Sequence, residues 1–278
     1  MFLDPSFFLF IIALLIGGAV AGSLSGILGI GGSIFLVPLQ FSLLTKMGYA
    51  PDIALKVSIA TSLFFMLPTS FSSAYGHSKR KAVLWNKAFL MGTVGFLFSF
   101  VGAYIASLLN AAVLSIFFGS VVFLMSFKFY FSKGGGEKPG EISSNFFLYV
   151  FCGMLMGLLS GLTGIGGGLI LIPLLLFFAK IPLRKAVGTS SATIIFTSLG
   201  GIVSYIFHGF GVSGLPPYSL GYVNLLMWIC LVIPGVMFAW SITNYSHKIN
   251  VKYVRSAFSV FTFVVGLWMI LKGVLEFL

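Results

Sequence analysis

Short polar gaps divide the chain into ten apolar segments, most of which have the ~20 residues that a helix needs to cross a bilayer. The segments span residues 7–28, 31–45, 56–76, 87–108, 111–131, 146–164, 168–179, 186–207, 220–243 and 252–275. Only 8% of the residues are charged, against about 25% in a soluble domain. Because no soluble core could bury this much apolar surface, the sequence predicts an all-α, multi-pass integral membrane protein with about eight to ten transmembrane helices.

A glycine-rich motif occurs twice in the chain, in one register. The sequence Ser-Gly-Ile-Leu-Gly-Ile-Gly-Gly at 25–32 is followed by Pro38, and Ser-Gly-Leu-Thr-Gly-Ile-Gly-Gly at 160–167 is followed, at the same distance, by Pro173. The chain contains 34 glycines, and such a composition could mimic part of this match, but it does not explain a register without gaps. The two motifs therefore indicate an internal repeat.

The repeat divides the chain into two units. We predict a first unit over residues 1–132, a cytoplasmic linker over 133–145 and a second unit over 146–278, because 133–145 is the long polar, glycine-rich stretch. A weaker similarity supports the division, since Thr61-Ser62 aligns with Thr189-Ser190 near the starts of corresponding segments. Each unit then has about five hydrophobic segments.

The basic residues predict that the two units have inverted topology. Most of the 16 Lys and Arg residues fall in or beside four loops, at 77–86, 133–145, 180–185 and 247–252, which alternating crossings place on one side of the membrane. The positive-inside rule makes that side the cytoplasm and leaves both termini outside. The loop after the first glycine motif is then external and the loop after the second is internal. Inverted repeats with interrupted segments are typical of secondary transporters.

The glycines at membrane depth predict a binding site for an anion. Irregular backbone within a bilayer is tolerated where it is buried in protein or lines a cavity, and a helix that restarts there aims free N–H groups at that cavity. The alternative is close helix packing through small residues. The substrate-binding residues predicted from the motifs are Gly29, Gly31, Gly32, Ser33, Gly164, Gly166, Gly167 and Gly168.

Four hydroxyl side chains near the starts of two segments are further candidates for the same site. Thr61, Ser62, Thr189 and Ser190 could complete the hydrogen bonds of an anion, or they could cap helices and bond neighbouring ones. The sequence does not decide between these two roles. Gln40 lies within the second segment, and we expect it to pack or bond within the protein.

The remaining chemistry-bearing residues argue against other functions. The basic loops are topology signals without a basic face, so we expect no nucleic-acid partner. Cys152 and Cys230 lie in apolar segments as packing residues, and His77 and His208 lie at segment ends. We therefore predict no catalytic residues, no metal and no cofactor. The five carboxylates fall in termini or loops, whereas ion-coupled pumps commonly use an intramembrane carboxylate.

At the two glycine motifs, 25–38 and 160–173, and at Gly188-Thr189-Ser190, the chain resembles the sulfite exporter TauE/SafE family, also called the TSUP permeases. The resemblance covers essentially the whole chain, although the first unit has Ala60 where the family has a glycine. It implies a multi-pass permease of the plasma (inner) membrane for sulfite, organosulfonates or related small anions. A homo-oligomer is compatible with it.

The predicted function is therefore export of a small oxoanion, sulfite or an organosulfonate, by alternating access. Moving one negative charge outward releases about 2.3 kcal/mol per 100 mV of inside-negative potential, so export can proceed without an intramembrane carboxylate. Two alternatives stay open at this point. One is proton-linked uptake of a sulfonate or carboxylate, and the other is a membrane scaffold that transports nothing.

Overall fold

The computed structural model describes residues 5–28, 32–131, 142–245 and 251–277, and within these ranges it contains ten α-helices. The helices are α1 Pro5–Leu28, α2 Ser33–Lys46, α3 Pro51–Lys79, α4 Trp85–Leu108, α5 Ala111–Phe131, α6 Phe146–Thr163, α7 Gly168–Phe177, α8 Leu183–Gly209, α9 Leu225–Tyr245 and α10 Val251–Leu275. Six of them are long and apolar enough to cross a membrane. The prediction of an all-α integral membrane protein is confirmed.

The ninth predicted segment is wrong at its start, because residues 219–224 form a hairpin instead of the first turns of a helix. Strand β1, Ser219–Leu220, pairs antiparallel with strand β2, Val223–Asn224, around Gly221 at φ +56. The Asn224 side chain then caps α9, since its Oδ1 accepts the N–H of Met227 at 2.9 Å. Apolar character alone could not show this boundary.

Helices α6 and α7 form a hairpin that enters the bundle from one end. The N–H of Ser143, just before α6, donates to the carbonyl of Ala179, just after α7, at 3.1 Å. Helix α7 has 10 residues, about 15 Å at 1.5 Å per residue, which is half of a bilayer core of about 30 Å. The two helices therefore meet near the middle of the bundle.

Helices α1 and α2 form the corresponding hairpin at the other end. Phe10 of α1 lines a cavity of about 150 Å³ together with Leu44 and Met47 at the end of α2. We call this end the opposite end; it also holds residues 46–52, 107–111 and 209–224. We call the other end the basic end; there the loop around Ala82 packs on Gly188, and Arg80, Lys81 and Arg184 are found.

Helix pairs pack through direct contact between backbones. A Cβ placed on Gly157 of α6 would overlap the backbone of Gly95 in α4, and one placed on Gly22 of α1 would overlap Gly235 in α9. Gly266 of α10 is packed on α5 in the same way. Small residues allow such close approach, which supplies van der Waals contact where lipid leaves no hydrophobic driving force. Much of the chain's glycine therefore serves packing.

Helices of the two halves of the chain pack on each other reciprocally. Helix α1 packs along α9 while α6 packs along α4, α5 packs along α10, and α3 and α8 cross antiparallel at the centre. The division into units 1–132 and 146–278 stays a prediction that this reciprocal packing favours. Of the predicted linker, residues 133–141 lie outside the described residues, and residues 142–145 lead irregularly into α6.

Candidate functional site

The second glycine motif, Gly164–Gly168, is the turn that joins α6 to α7. Gly164, Gly166 and Gly167 have φ values of +71, +72 and +71, in the left-handed region that glycine adopts without cost. Gly164 ends α6 by donating its N–H to Ser160 O at 2.8 Å. A chain that reverses this sharply requires these glycines, so the sequence motif is explained locally by the turn.

The turn lies against the middle of the two central helices. Gly164 is packed on Ile59 of α3, and Gly166 is packed between Met66 of α3 and Ile194 of α8. Met66 and Ile194 are both near the midpoints of their helices. The second glycine motif is therefore buried at mid-depth in the bundle, which is where irregular backbone can line a solute path.

The N-terminus of α7 presents buried N–H groups that have no acceptor. Ile170 and Leu171 both donate to Gly167 O, at 3.1 and 2.9 Å. Among the described residues, the structure records no acceptor for the N–H groups of Gly166, Gly167, Gly168 and Leu169, all of which are buried. Such unpaired donors carry the partial positive charge of a helix N-terminus, and they favour an anion.

Several buried serine hydroxyls around this turn also lack a partner. Ser190 and Ser198 lie one turn to either side of Ile194 on α8, and Ser160 lies in the last turn of α6; their Oγ atoms are buried and unpaired among the described residues. Other hydroxyls in the same helices bond a carbonyl of the preceding turn, as Thr193 does to Thr189 O at 2.9 Å. Buried polar groups in native proteins are normally satisfied, so this cluster points to a polar solute or water.

Two methionines occupy the space that the glycines leave. A Cβ on Gly166 would overlap the thioether end of Met66, and a Cβ on Gly167 would overlap the side chain of Met156. Methionine is flexible and has no strong hydrogen-bonding group. In this conformation the turn is therefore closed by side chains that can move without breaking a polar contact.

The two threonines of the predicted site bond backbone from the other half of the chain. Thr61 Oγ1 accepts the N–H of Asn224, the residue before α9, at 3.0 Å. Thr189 Oγ1 accepts the N–H of Leu84, the residue before α4, also at 3.0 Å. Of the two roles left open for these threonines, the structure shows the bonding between helices.

The two predicted Thr-Ser pairs do not converge on one point. Ser62 accepts from Gln40 Nε2 at 2.8 Å, so Gln40 bonds within the protein as expected, although its Oε1 is buried and unpaired. Ser191, next to Ser190, contacts Ser73 of α3 at 2.9 Å. Positions 62 and 73 are eleven residues apart on α3, or about 16 Å at 1.5 Å per residue. A small anion cannot touch both pairs at once.

Part of the first glycine motif cannot be compared with the second. Gly29 and Gly31 lie outside the described residues. Gly32 is packed against Ala21 of α1, and Ser33 begins α2 with a buried, unpaired hydroxyl. Ser33 thus stands at the N-terminus of α2, as Gly168 stands at the N-terminus of α7.

His208 and the two cysteines have ordinary surroundings, whereas the Nδ1 of His77 is buried without a partner among the described residues. His208 Nδ1 contacts Ser204 O at 2.8 Å and its ring lies against Tyr104, so it is a packed interfacial residue. Cys152 and Cys230 are free thiols. Among the described residues no cluster of His, Cys, Asp or Glu could hold a metal ion.

One buried charge was not predicted from the sequence. The structure places Lys56 within α3 with 9% of its surface exposed. The repeat in the sequence does point to Lys56, since Lys56 precedes Thr61 by five residues and Arg184 precedes Thr189 by five residues. The weaker repeat therefore extends to a cation in each half.

A bundle of membrane-crossing helices, with a broken hairpin that places unpaired polar groups at mid-depth, defines a multi-pass α-helical membrane transporter. More narrowly, this chain belongs to the sulfite exporter TauE/SafE family, whose family model matches residues 14–269.

Relatives across two domains of life agree with this assignment. A probable membrane transporter protein of Methanocaldococcus jannaschii is 32% identical over 97% of this chain and 98% of its own length. Proteins with the same description in Haemophilus influenzae and Bacillus subtilis are 27% and 26% identical, each over 95% of this chain, and over 100% and 98% of their own lengths. No solved structure matches the chain.

Proposed function

We propose that this protein exports a small oxoanion, sulfite or an organosulfonate, across the plasma membrane by alternating access. The observation that carries the proposal is the set of buried, unpaired N–H groups from Gly166 to Leu169 at the N-terminus of α7. An oxoanion has several acceptor oxygens and no donors to spare, which matches a site made of donors. The family description supports the sulfur-containing substrate.

The hydroxyls around the turn extend the site. Ser160 lies at the end of α6 and Ser190 and Ser198 on the facing side of α8, and each can donate one hydrogen bond to an oxoanion oxygen. Neutral donors suit transport, because an anion held by a fixed buried cation at mid-depth would leave slowly. Met66 and Met156 would move aside to admit the solute.

The reciprocal packing supports alternating access between inverted halves. The α1–α2 hairpin enters from the opposite end and the α6–α7 hairpin from the basic end. Rocking of one half against the other would then expose the same centre to each side in turn. In this proposal residues 1–132 and 146–278 are the two repeats, and the basic end faces the cytoplasm.

The carboxylates and the membrane potential favour export without an ion partner. Asp52 and Glu276, the carboxylates within the described residues, are both exposed at helix ends. For an anion of one net charge, the release of about 2.3 kcal/mol per 100 mV corresponds to a concentration ratio of about fiftyfold. Export is therefore driven by the potential alone.

The test is sulfite flux in proteoliposomes under an imposed potassium diffusion potential. We expect wild-type flux that follows the potential and is unaffected by a proton gradient when the potential is clamped at zero. Accumulation under that clamp would favour proton-linked uptake instead. Absence of flux for every oxoanion tried, with folded protein, would favour the scaffold.

A substitution in the turn tests the site itself. Gly166→Val should lower flux at least about a hundredfold, because the side chain takes the solute's place beside several donors, each worth about 1.5–3 kcal/mol to a charged group. Gly211→Val is the matched control: Gly211 has φ +78, so the strain is similar, but no atom lies within 4 Å of its Cβ position. Normal flux in a folded Gly166→Val protein would refute the site.

A further inference from the structure

Lys56 is a lysine buried inside the bundle at the opposite end. It lies in the second turn of α3, and its Nζ donates to the carbonyl of Ser107, near the C-terminus of α4, at 2.7 Å. Lys56 makes no other hydrogen bond within the described ranges, whereas an ammonium group has three N–H donors. Two of its N–H groups are therefore free to bind something else.

No carboxylate within the described residues forms an ion pair with this ammonium group, although the charge of Asp52 acts on it from a distance. Asp52 is one turn earlier in α3, but its Oδ1 accepts the N–H of Ala111 at the start of α5, and no ion pair within 4.0 Å is recorded for Lys56 among the described residues. The ring of Tyr222 lies 6.0 Å from Nζ. Burial, with the charge of Asp52 adding to it, raises the pKa of the Tyr222 phenol, so this neighbour stays neutral.

A buried charge that forms no ion pair is costly, and within membrane proteins such residues mark the paths of ions and substrates. Part of the cost is offset here by the C-terminus of α4, because the Ser107 carbonyl lies at the partially negative end of that helix. One carbonyl uses one N–H, and the two N–H groups that have no partner among the described residues fit a negatively charged solute.

Lys56 also lies close to the second glycine motif. It precedes Ile59 by one turn on the same side of α3, and Ile59 is packed on Gly164. From the other direction, Tyr222 packs edge-on against Tyr205 at 6.2 Å, and the Tyr205 hydroxyl donates to Gly161 O at 2.9 Å. Contacts are therefore continuous from Lys56 to the residues that precede the turn.

We infer that Lys56 forms a second, outer binding site for the transported oxoanion. The solute leaves the second glycine motif for the opposite end, where the Lys56 ammonium binds it in place of a counter-ion before it is released. This inference rests on the proposed function and adds to it a charged residue at the exit.

The inference predicts an effect confined to one face of the membrane. Half-saturating sulfite should be measured separately from each face, in right-side-out and inverted membrane vesicles that contain the protein. Lys56→Met should raise the value at the external face about tenfold or more, the scale of a lost hydrogen bond to a charged group, and change it less than about twofold at the cytoplasmic face. Lys56→Arg, which keeps the charge, should stay within about threefold of wild type at both faces.

Lys272→Met is the matched control. Lys272 is half-buried at the same end, against the ring of Phe41 at 3.8 Å, but it is not beside the second glycine motif. It should leave both half-saturation values unchanged. Equal changes at the two faces for Lys56→Met, no change at all, or the same change for Lys272→Met would each overturn the inference. Absence of sulfite flux in wild-type vesicles would instead overturn the proposed function.

A chemical rescue keeps the test decisive if Lys56→Met folds poorly. Lys56→Cys, in a protein whose Cys152 and Cys230 are replaced by alanine, can be alkylated with 2-bromoethylamine, which restores an ammonium group through a thioether and releases bromide and a proton. Unlike a mixed disulfide, the thioether is not cleaved by sulfite. We expect this reagent to restore the external half-saturation value and neutral iodoacetamide to fail. Equal effects of the two reagents would contradict a role for the charge.

Discussion

The two central helices, α3 and α8, carry the same residue types at matching positions but use only some of them in the same way. Thr61 and Thr189 make the same contact, each accepting the N–H of the residue before a helix of the other half at 3.0 Å. The next residues differ: Ser62 accepts from Gln40 at 2.8 Å, whereas the buried Ser190 hydroxyl has no partner among the described residues. The shared contact belongs to the architecture, and the difference leaves the Ser190 hydroxyl available to a solute.

The cations before these pairs differ as well. Lys56 is buried in the bundle, whereas Arg184 is exposed at the basic end, where Arg80 and His77 are its neighbours. Asp52 lies one turn before Lys56, and Lys180 stands at the corresponding position before Arg184. The basic end therefore presents exposed cations that attract anions through solvent, whereas Lys56 at the opposite end is enclosed within the bundle.

The largest effect on transport within this comparison is expected at the second serine. Ser190→Ala should lower sulfite flux about tenfold to a hundredfold, because it removes a hydrogen bond to a charged solute in a buried place. Ser62→Ala should lower flux less than about threefold, since Gln40 Nε2, which donates to the Ser62 oxygen, holds this hydroxyl against α2. The measurement is initial flux in proteoliposomes at equal protein content.

Ser191→Ala is the internal control for that experiment. Ser191 Oγ contacts Ser73 Oγ and donates to Val187 O, each at 2.9 Å, so its loss should cost stability and leave flux unchanged. If Ser62→Ala and Ser190→Ala lowered flux equally, the two helices would be functionally equivalent and the comparison would fail.

A smaller effect is expected from the exposed cation. Arg184→Ala should raise the half-saturating sulfite concentration at the cytoplasmic face by at most about fivefold, the ~1 kcal/mol scale of an exposed charge. Because such a charge acts through solvent, the difference from wild type should disappear in about 1 M salt, where the Debye length is about 3 Å. An effect that persists in high salt would show direct binding by Arg184.

The smallest effect on transport is expected from the two threonines. Thr61→Val and Thr189→Val should leave flux within about twofold of wild type, while each lowers stability by about 1 kcal/mol, the usual value of one hydrogen bond. For a chain of this size, that corresponds to a fall of about 2–4 °C in the midpoint of thermal unfolding in detergent. Clearly unequal shifts would break the equivalence of the two contacts.

The helices were predictable from the sequence to within a few residues, because a bilayer requires long apolar stretches and the gaps between them are polar. Segment 111–131 coincides with α5, and 146–164 ends one residue after α6. The start of α9 was not predictable, since Ser219–Asn224 is as apolar as a helix start and its hairpin depends on Gly221 and on the cap that Asn224 forms.

The turn at the centre of the candidate site was predictable from the sequence, but the side-chain contacts around the turn were not. The glycine motif identified the turn between α6 and α7, because left-handed glycines have few other uses within a bilayer. Which serine hydroxyl lacks a partner depends on the rotamer of its side chain and on whether a residue such as Gln40 contacts it. Gln40 is 22 residues from Ser62 in sequence, so a periodic pattern shows neither. Lys56 was missed because a lysine at a segment boundary looks the same in sequence whether it faces solvent or the interior.

The reciprocal pairing of helices sets an order for the protein's assembly during synthesis. The hydrogen-bond partner of Thr61 is Asn224, which is synthesised 163 residues later. Helix α5 packs along α10, the last of the ten described helices. Helices α1, α3 and α5 must therefore reside in the bilayer with unmatched faces while the ribosome completes the second half. A nascent chain arrested after α5 should keep those faces exposed to lipid and to membrane chaperones, because α9 and α10 have not been synthesised.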